Sequence, residues 1–405
     1  LLFTSRKRPP RRDPRLTPIH RRLKFDFSVT GMIYSCLMVF MGIAAINTQA
    51  SLLFGVFGLM IGVLLVSGLI SWMLLKRLDV RRLLPDQAIV GQPVVIHYAI
   101  KNRKRIWPTL SMTISELDAQ GFVRQPHAYL LHVANQQTAT VSCEVIPKRR
   151  GPHAFDRYQL STSFPFGFIK RAAERALPDT LLIFPAIAQV DRQLLSRFKS
   201  AESIGQNVRP KVGGQDEFYG LKPYREGESP RMIHWKRSAR TGVLVSRLMT
   251  QESPPRLVIV VDTFNVDGKD STVARIERSI AQAASLVEAA CESNLSVGLV
   301  CRGEHWVSVK PNRGKRHKRE LLTILAKLPT NRAWDTDSII EHASTMNDSH
   351  VTTVLFTIGG ISSSRNVSTN AFVIGAESAD AARWFTFDKS IDFANMAPIE
   401  RVTVK

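Results

Sequence analysis

Between Gly213 and Val245 the sequence concentrates the residue types from which a chemical site could be built. Asp216 and Glu217 are adjacent carboxylates, joined in the stretch by the imidazole of His234, and Ser238 carries a hydroxyl four residues further on. A membrane-bound hydrolase could use His234 as general base together with those carboxylates. Arg231 and Arg240 argue against it, because in any compact arrangement they pair with the carboxylates and lower their basicity. On this second reading Asp216, Glu217, Arg231 and Arg240 form structural ion pairs, while Tyr224 and Trp235 are packing anchors. Trp235 is then expected to be buried, and Glu228 to be an ordinary surface position. Gly220, Gly227 and Gly242 punctuate the stretch at expected turns, where a positive φ favours glycine. No Walker A run, H-E-x-x-H or G-x-S-x-G occurs in the sequence, so no catalytic residue, cofactor or metal ligand is assigned.

The elements that must position this stretch come before and after it. At 405 residues the chain has room for two or three domains. An excess of 55 Lys and Arg over 34 Asp and Glu, +21 in all, calls for an anionic neighbour. From Phe27 to Leu75 there is no charged residue or histidine, and Asn47, Thr48, Gln49 and Ser51 break the apolar run. Two transmembrane helices of about twenty residues each are expected, near Val29–Ile46 and Leu52–Leu75. Basic clusters flank them on both sides (Arg6 to Lys24 before, Lys76 to Arg82 after), and the loop between is uncharged. The positive-inside rule therefore puts both ends in the cytoplasm, giving a multi-pass protein of the cell membrane with cytoplasmic soluble domains. The lipid bilayer is the expected anionic partner; nucleic acid is not, since no recognition motif or aromatic interleaving accompanies the charge. The four cysteines are scattered without C-x-x-C spacing, which suits buried thiols. The sequence opens on Leu1 rather than Met, so the natural start is expected to differ or to be missing.

From Leu83 to Ile187 short runs alternate in polarity, as in Val94–Ile100, and are separated by Gly and Pro, the pattern of an antiparallel sandwich. After it, Arg256–Asp262 is an apolar run ending in a carboxylate, which reads as a central parallel strand. Val273, Ile276, Ile280, Ala284 and Val287 follow at helical spacing, with Glu277 among the polar positions. Further segments are a strand at Leu295–Cys301, its hairpin partner Trp306–Val309, helices at Arg319–Leu328 and near Asp337–Thr345, and strands at Thr352–Ile358, Ala371–Ile374 and Trp384–Phe387. The expected architecture is α+β and multidomain: a basic tail (1–28), a two-helix transmembrane hairpin (29–75), an immunoglobulin-like β-sandwich (83–187), a linking segment (188–255) and a doubly wound α/β domain (256–405).

The linking segment resembles the signature of the DUF58 family. The matching residues are Gly214, Glu217, Phe218, Gly220, Leu221, Lys222, Tyr224, Gly227, Glu228, Arg231, Ile233, Trp235 and the run Ser238–Gly242. Arg149-Arg150-Gly151 and Phe164-Pro165-Phe166-Gly167 resemble turns that precede that signature, with Phe164 where the family often has Asp. The resemblance implies that the C-terminal domain is von Willebrand factor A-like. Such domains can hold Mg²⁺ through a D-x-S-x-S loop, a Thr and a distal Asp. Here Asp262 and Thr336 are present, but Phe264 and Val266 replace the serines and Thr357-Ile358-Gly359-Gly360 replaces the distal motif, so metal binding is not expected. The resemblance further implies a scaffold that works with a MoxR-type AAA+ ATPase and other A-domain proteins in complex assembly.

Overall fold

The computed structural model describes residues 23–119, 121–204, 217–250, 256–263, 270–303, 305–329, 351–358 and 371–393. The chain divides into two compact units. One is drawn from residues up to Ala88, Gln92–Lys148 and Pro152–Ile183, the other from Ile89–Gly91, Arg149–Gly151 and the chain from Phe184 onward.

The first unit opens with strand β1 (Leu23–Phe27), helix α1 (Val29–Thr48) and helix α2 (Ser51–Leu75). The Ser28 side chain caps α1 by accepting from the Thr30 N–H, and Gln49 ends it in the left-handed region at φ 52°. Where the two helices meet, Gly42 of α1 leaves room for the Phe57 ring of α2, which a Cβ there would meet at 2.9 Å. Tyr34 adds a hydrogen bond to the Met60 carbonyl at 3.1 Å. Most other side chains, among them Ile33, Leu52, Leu59 and Leu65, are exposed. Uncharged helices of 20 and 25 residues with apolar side chains facing outward are two candidate membrane-spanning helices.

Strands β2 (Leu78–Leu83), β3 (Ala88–Ile89), β4 (Val94–Asn102), β5 (Thr109–Glu116), β6 (His127–Val133), β7 (Thr138–Val145), β8 (Gly151–Thr162) and β9 (Ile169–Phe184) follow. They form a three-stranded sheet β2-β4-β7 and a six-stranded sheet β1-β9-β8-β5-β6, with β3 paired to β9. Along β4 burial alternates from residue to residue, the mark of a sheet with one face on a core. A fully buried network joins the two sheets. Arg82 of β2 donates to both Glu116 oxygens of β5 at 2.9 and 2.7 Å, and the Tyr98 hydroxyl of β4 donates to Glu116 at 2.9 Å. The remaining Arg82 N–H reaches the carbonyls of Phe155 and Leu177. Residues 1–28 are not tail throughout, because Leu23–Phe27 pairs antiparallel with β9. The strand-rich region likewise begins at Leu78, upstream of the expected Leu83.

The second unit is built on strands β10 (Gln189–Val190), β11 (Glu217–Pro223), β12 (Val245–Thr250), β13 (Arg256–Val261), β14 (Ser296–Arg302), β15 (Trp306–Asn312), β16 (Val351–Thr357), β17 (Ala371–Gly375) and β18 (Phe385–Thr386). Its described helices are α3 (Arg192–Ile204), α4 (Trp235–Thr241), α5 (Asp270–Glu292), α6 (Lys315–Lys327) and α7 (Ala379–Trp384). A five-stranded sheet runs β15-β14-β13-β16-β17, with β14, β13, β16 and β17 parallel and β15 antiparallel at one edge. Every β13 residue after Arg256 is buried, which is why the run reads as continuously apolar. Trp384–Phe387 is not the expected further sheet strand. Ser378 caps the short helix α7, and only Phe385–Thr386 is extended, pairing with β10. The helix expected near Asp337–Thr345 lies outside the described residues. Together the two units give a mixed, multidomain α+β architecture with N-terminal helices and several β-sheets.

Two buried charges settle inside the second unit. Arg150 donates to Glu277 of α5 through Nε at 2.7 Å and Nη2 at 2.9 Å, and its Nη1 reaches the Leu325 and Ala326 carbonyls at the end of α6. Glu277 is therefore a buried ion-pair partner rather than a solvated polar position.

Candidate functional site

Residues 217–250 form a small module. Strands β11 and β12 pair antiparallel, with a register shift between Phe218 and Gly220, and the intervening chain makes a 3₁₀ turn (Pro230–Met232) and α4. The module closes on its own backbone: Tyr224 N–H donates to Leu244 O, His234 N–H to Val245 O, and Ile233 bridges Ser246. Gly227 and Gly242 adopt φ of 97° and 70°, the latter ending α4, as glycine allows. Gly220 does not; it lies in β11 without a positive φ, so its turn is a strand irregularity.

Glu228 is the hub. Its carboxylate receives Lys222 Nζ at 2.5 Å and Ser246 Oγ at 3.0 Å, and its carbonyl receives the Tyr224 hydroxyl at 2.9 Å. The Lys222 hydrogen bond comes first among the causes that hold its carboxyl below the usual range. This corrects the expectation of an ordinary surface position, since three side chains converge on one glutamate. Among the described side chains the module's ion pair is Lys222–Glu228, while Arg231 and Arg240 are exposed. Asp216 lies outside the described residues. Glu217 and Phe218 are placed in β11 by their backbone.

His234 and Ser238 have structural engagements. The His234 ring caps α4, with Nδ1 accepting from the Arg237 N–H at 3.2 Å. Ser238 is buried; its hydroxyl accepts from Val245 N–H at 2.9 Å and donates to the backbone carbonyl of His234, not to its ring. That is a helix-to-strand clamp, not the hydroxyl–imidazole contact of a nucleophile and its base.

Trp235 is the main surprise. It was expected to be a buried anchor, yet it is 64% exposed. It is the first residue of α4, and the segment's core is made instead by Ile233, Ser238 and Ser246, which are buried. Leu221, Val243 and Leu244 are exposed with it. So are Arg225, Arg231, Lys236, Arg237, Arg240 and Arg247, against Glu226 as the exposed carboxylate among the described side chains.

Asp262 is buried at the end of β13, with its N–H donating to Phe356 O at 2.9 Å, and Thr357 is buried on the neighbouring strand. Phe264, Val266, Thr336, Gly359 and Gly360 lie outside the described residues. Among the described residues no three His, Cys, Asp or Glu side chains cluster as a metal would require. The Arg150–Glu277 and Arg82–Glu116–Tyr98 clusters were not anticipated. Nothing local in the sequence marks them: Glu277 sits between Arg275 and Arg278, and Arg150 follows Lys148 and Arg149.

Residues 220–359 match the family model described as "Protein of unknown function DUF58". The uncharacterized protein YeaD of Bacillus subtilis is 24% identical over 195 residues, which cover 47% of this chain and 46% of YeaD. The matched stretch therefore spans about half of that relative. Two solved structures align weakly. The CARDB domain of a Pyrococcus furiosus protein shares 11% identity over 26% of this chain and 94% of its own, with a TM-score of 0.19. The GH20 exo-β-N-acetylglucosaminidase of Vibrio harveyi shares 9% over 70% and 57%, with a TM-score of 0.16. Scores that low carry no argument about either fold or activity. The family match and the helices stand on firmer ground: residues 220–359 are similar to the DUF58 family model, and two candidate membrane-spanning helices precede them.

Proposed function

We propose that this protein is a membrane-anchored interaction scaffold, not a catalyst, whose DUF58 module presents Trp235 and its surrounding cations to a protein partner. The observation that carries the reading is the 64% exposure of Trp235 within a module whose Lys222, Glu228, Ser238 and Ser246 side chains bond to one another or to its own backbone. Trp and Arg are the side chains that most often dominate binding energy when a partner covers them. A ring left in water at the start of a short, well-capped helix adds little to folding. The two apolar helices hold the module at a bilayer, and the uncharged loop between basic flanks orients both soluble units to the cytoplasm. On the family resemblance, the partner is a MoxR-type AAA+ ATPase, with other A-domain proteins in the same assembly. The N-terminal sheets serve as an immunoglobulin-like spacer and the C-terminal sheet as a von Willebrand factor A-like platform.

The test is Trp235→Ala in the full chain, followed by crosslinking and affinity purification from native membranes. Thermal unfolding should stay within about 0.5 kcal/mol of the parent, as for exposed positions, while recovery of the ATPase collapses. Unchanged recovery refutes the docking role, and loss of stability by several kcal/mol restores Trp235 as a packing anchor.

A further inference from the structure

The first unit carries a second exposed apolar surface that the interaction reading does not use. The turn between β8 and β9, Ser163–Phe168, packs against the helix pair. Ser71 Oγ of α2 donates to the Phe164 carbonyl at 2.7 Å, and Tyr34 of α1 stacks on Phe168 at 4.2 Å. Gly31 of α1 lies so close that a Cβ there would clash with the Phe168 carbonyl oxygen. Tyr34 lies five residues past Val29, and Ser71 four residues before Leu75. At about 1.5 Å per residue the turn therefore reaches roughly 6–8 Å along the helices from their charged ends. At its tip, Phe166 is 50% exposed.

The turn between β4 and β5 meets the same end of the helix pair. Lys104 Nζ donates to the Leu74 carbonyl at 2.8 Å, and Arg103 N–H donates to Arg77 O at 2.9 Å. The next residues, Ile106 and Trp107, are 80% and 50% exposed. Cations lie among these side chains: Lys76 lies over the Trp72 ring, the Arg171 guanidinium lies over the Phe25 ring and beside Gly68 of α2, and Arg103 and Arg105 are exposed. Aromatic rings with Lys and Arg beside them, at the end of an apolar helix pair, are the chemistry of a membrane–water interface. Groups of this kind bury about 5–10 Å into the boundary between headgroups and acyl chains, which matches the reach of the Phe166 turn.

We infer that the β4–β5 and β8–β9 turns insert Ile106, Trp107 and Phe166 into the leaflet from which the helix pair emerges, so that the sheet unit lies on an anionic membrane surface. The inference rests on the helices crossing the bilayer. It adds that the sheets are seated on lipid rather than held off it. Seating the unit at three places (the helix pair and two turns) removes freedom that a single tether would leave, and so fixes the unit's orientation relative to the bilayer.

The experiment uses the full chain with its native cysteines replaced, reconstituted in phosphatidylcholine–phosphatidylglycerol vesicles. Single cysteines at Ile106→Cys, Phe166→Cys, Leu59→Cys and Val123→Cys are labelled with an environment-sensitive fluorophore. All four positions are exposed, so folding is spared. Leu59 reports the helix interior, and Val123 serves as the water-facing control. Lipids carrying a quencher high on the acyl chain should extinguish the labels at 106 and 166 more strongly than lipids carrying it near the chain end. Leu59 should show the reverse order and Val123 no quenching. If 106 and 166 behave like 123 while 59 is quenched, the seating is refuted and the anchor stands. If 59 is also unquenched, the anchor fails and the seating with it.

Discussion

The buried pair Arg150–Glu277 allows a quantitative test of what holds the second unit together. Both side chains are almost fully buried, and the guanidinium spends two N–H groups on the carboxylate and a third on two helix-end carbonyls. Arg150→Met strands the Glu277 carboxylate away from water. Removing one partner of such a pair costs about 3–5 kcal/mol. Glu277→Met strands the guanidinium, which keeps its carbonyl acceptors, so the lower end of that range is expected. The double variant R150M/E277M leaves no buried charge. What remains lost is the pair of hydrogen bonds to Leu325 and Ala326, at about 0.5–1.5 kcal/mol each, partly offset by the apolar replacements. The double variant should therefore cost about 1–3 kcal/mol, less than the sum of the singles by at least about 3 kcal/mol. The assay is urea unfolding of the detergent-solubilised full chain in a background where Cys301 is the remaining thiol. Cys301 is fully buried in β14 and burial pushes its pKa up to about 12, so its reactivity with a maleimide reports opening of this unit. Singles and double that add within about 0.5 kcal/mol would refute the reasoning.

Two further outcomes follow from the first unit. Gly31→Ala forces a methyl against the Phe168 carbonyl, and because both sides are backbone it should cost about 1–3 kcal/mol. Gly62→Ala, where a Cβ meets nothing within 4 Å, should be neutral or slightly stabilising when both variants are compared by thermal unfolding of the full chain; equal losses would sink the steric argument. Lys104 is buried, and burial lowers its pKa from 10.5 to about 8. Between those values the unfolded chain binds more protons than the folded one, so stability should rise as pH is raised from 8 to 10.5. Lys104→Met should flatten that rise, and a slope retained in the variant would assign it elsewhere.

The sequence by itself determined the elements whose signal is local. The uncharged run from Phe27 to Leu75 was legible as two apolar helices, because a break of four polar residues divides it at about the length a bilayer needs. The apolar run after Arg256 was legible as a central parallel strand, since burial on both faces removes every polar residue. The module at 217–250 was visible as a motif, but its anatomy was not. Trp235 is exposed where burial was expected, because burial depends on which side of a short helix faces its own hairpin, and a seven-residue helix has too little periodicity to say. The pairing of β1 with β9 joins residues about 150 apart, and a strand preceding a membrane helix carries no mark of its partner in its own sequence. Arg150 and Glu277, 127 residues apart, met for the same reason. Neither charge has a local cause for burial, and only the packing of α5 and α6 around the Arg-Arg-Gly turn removes both from water and makes each the other's necessary partner.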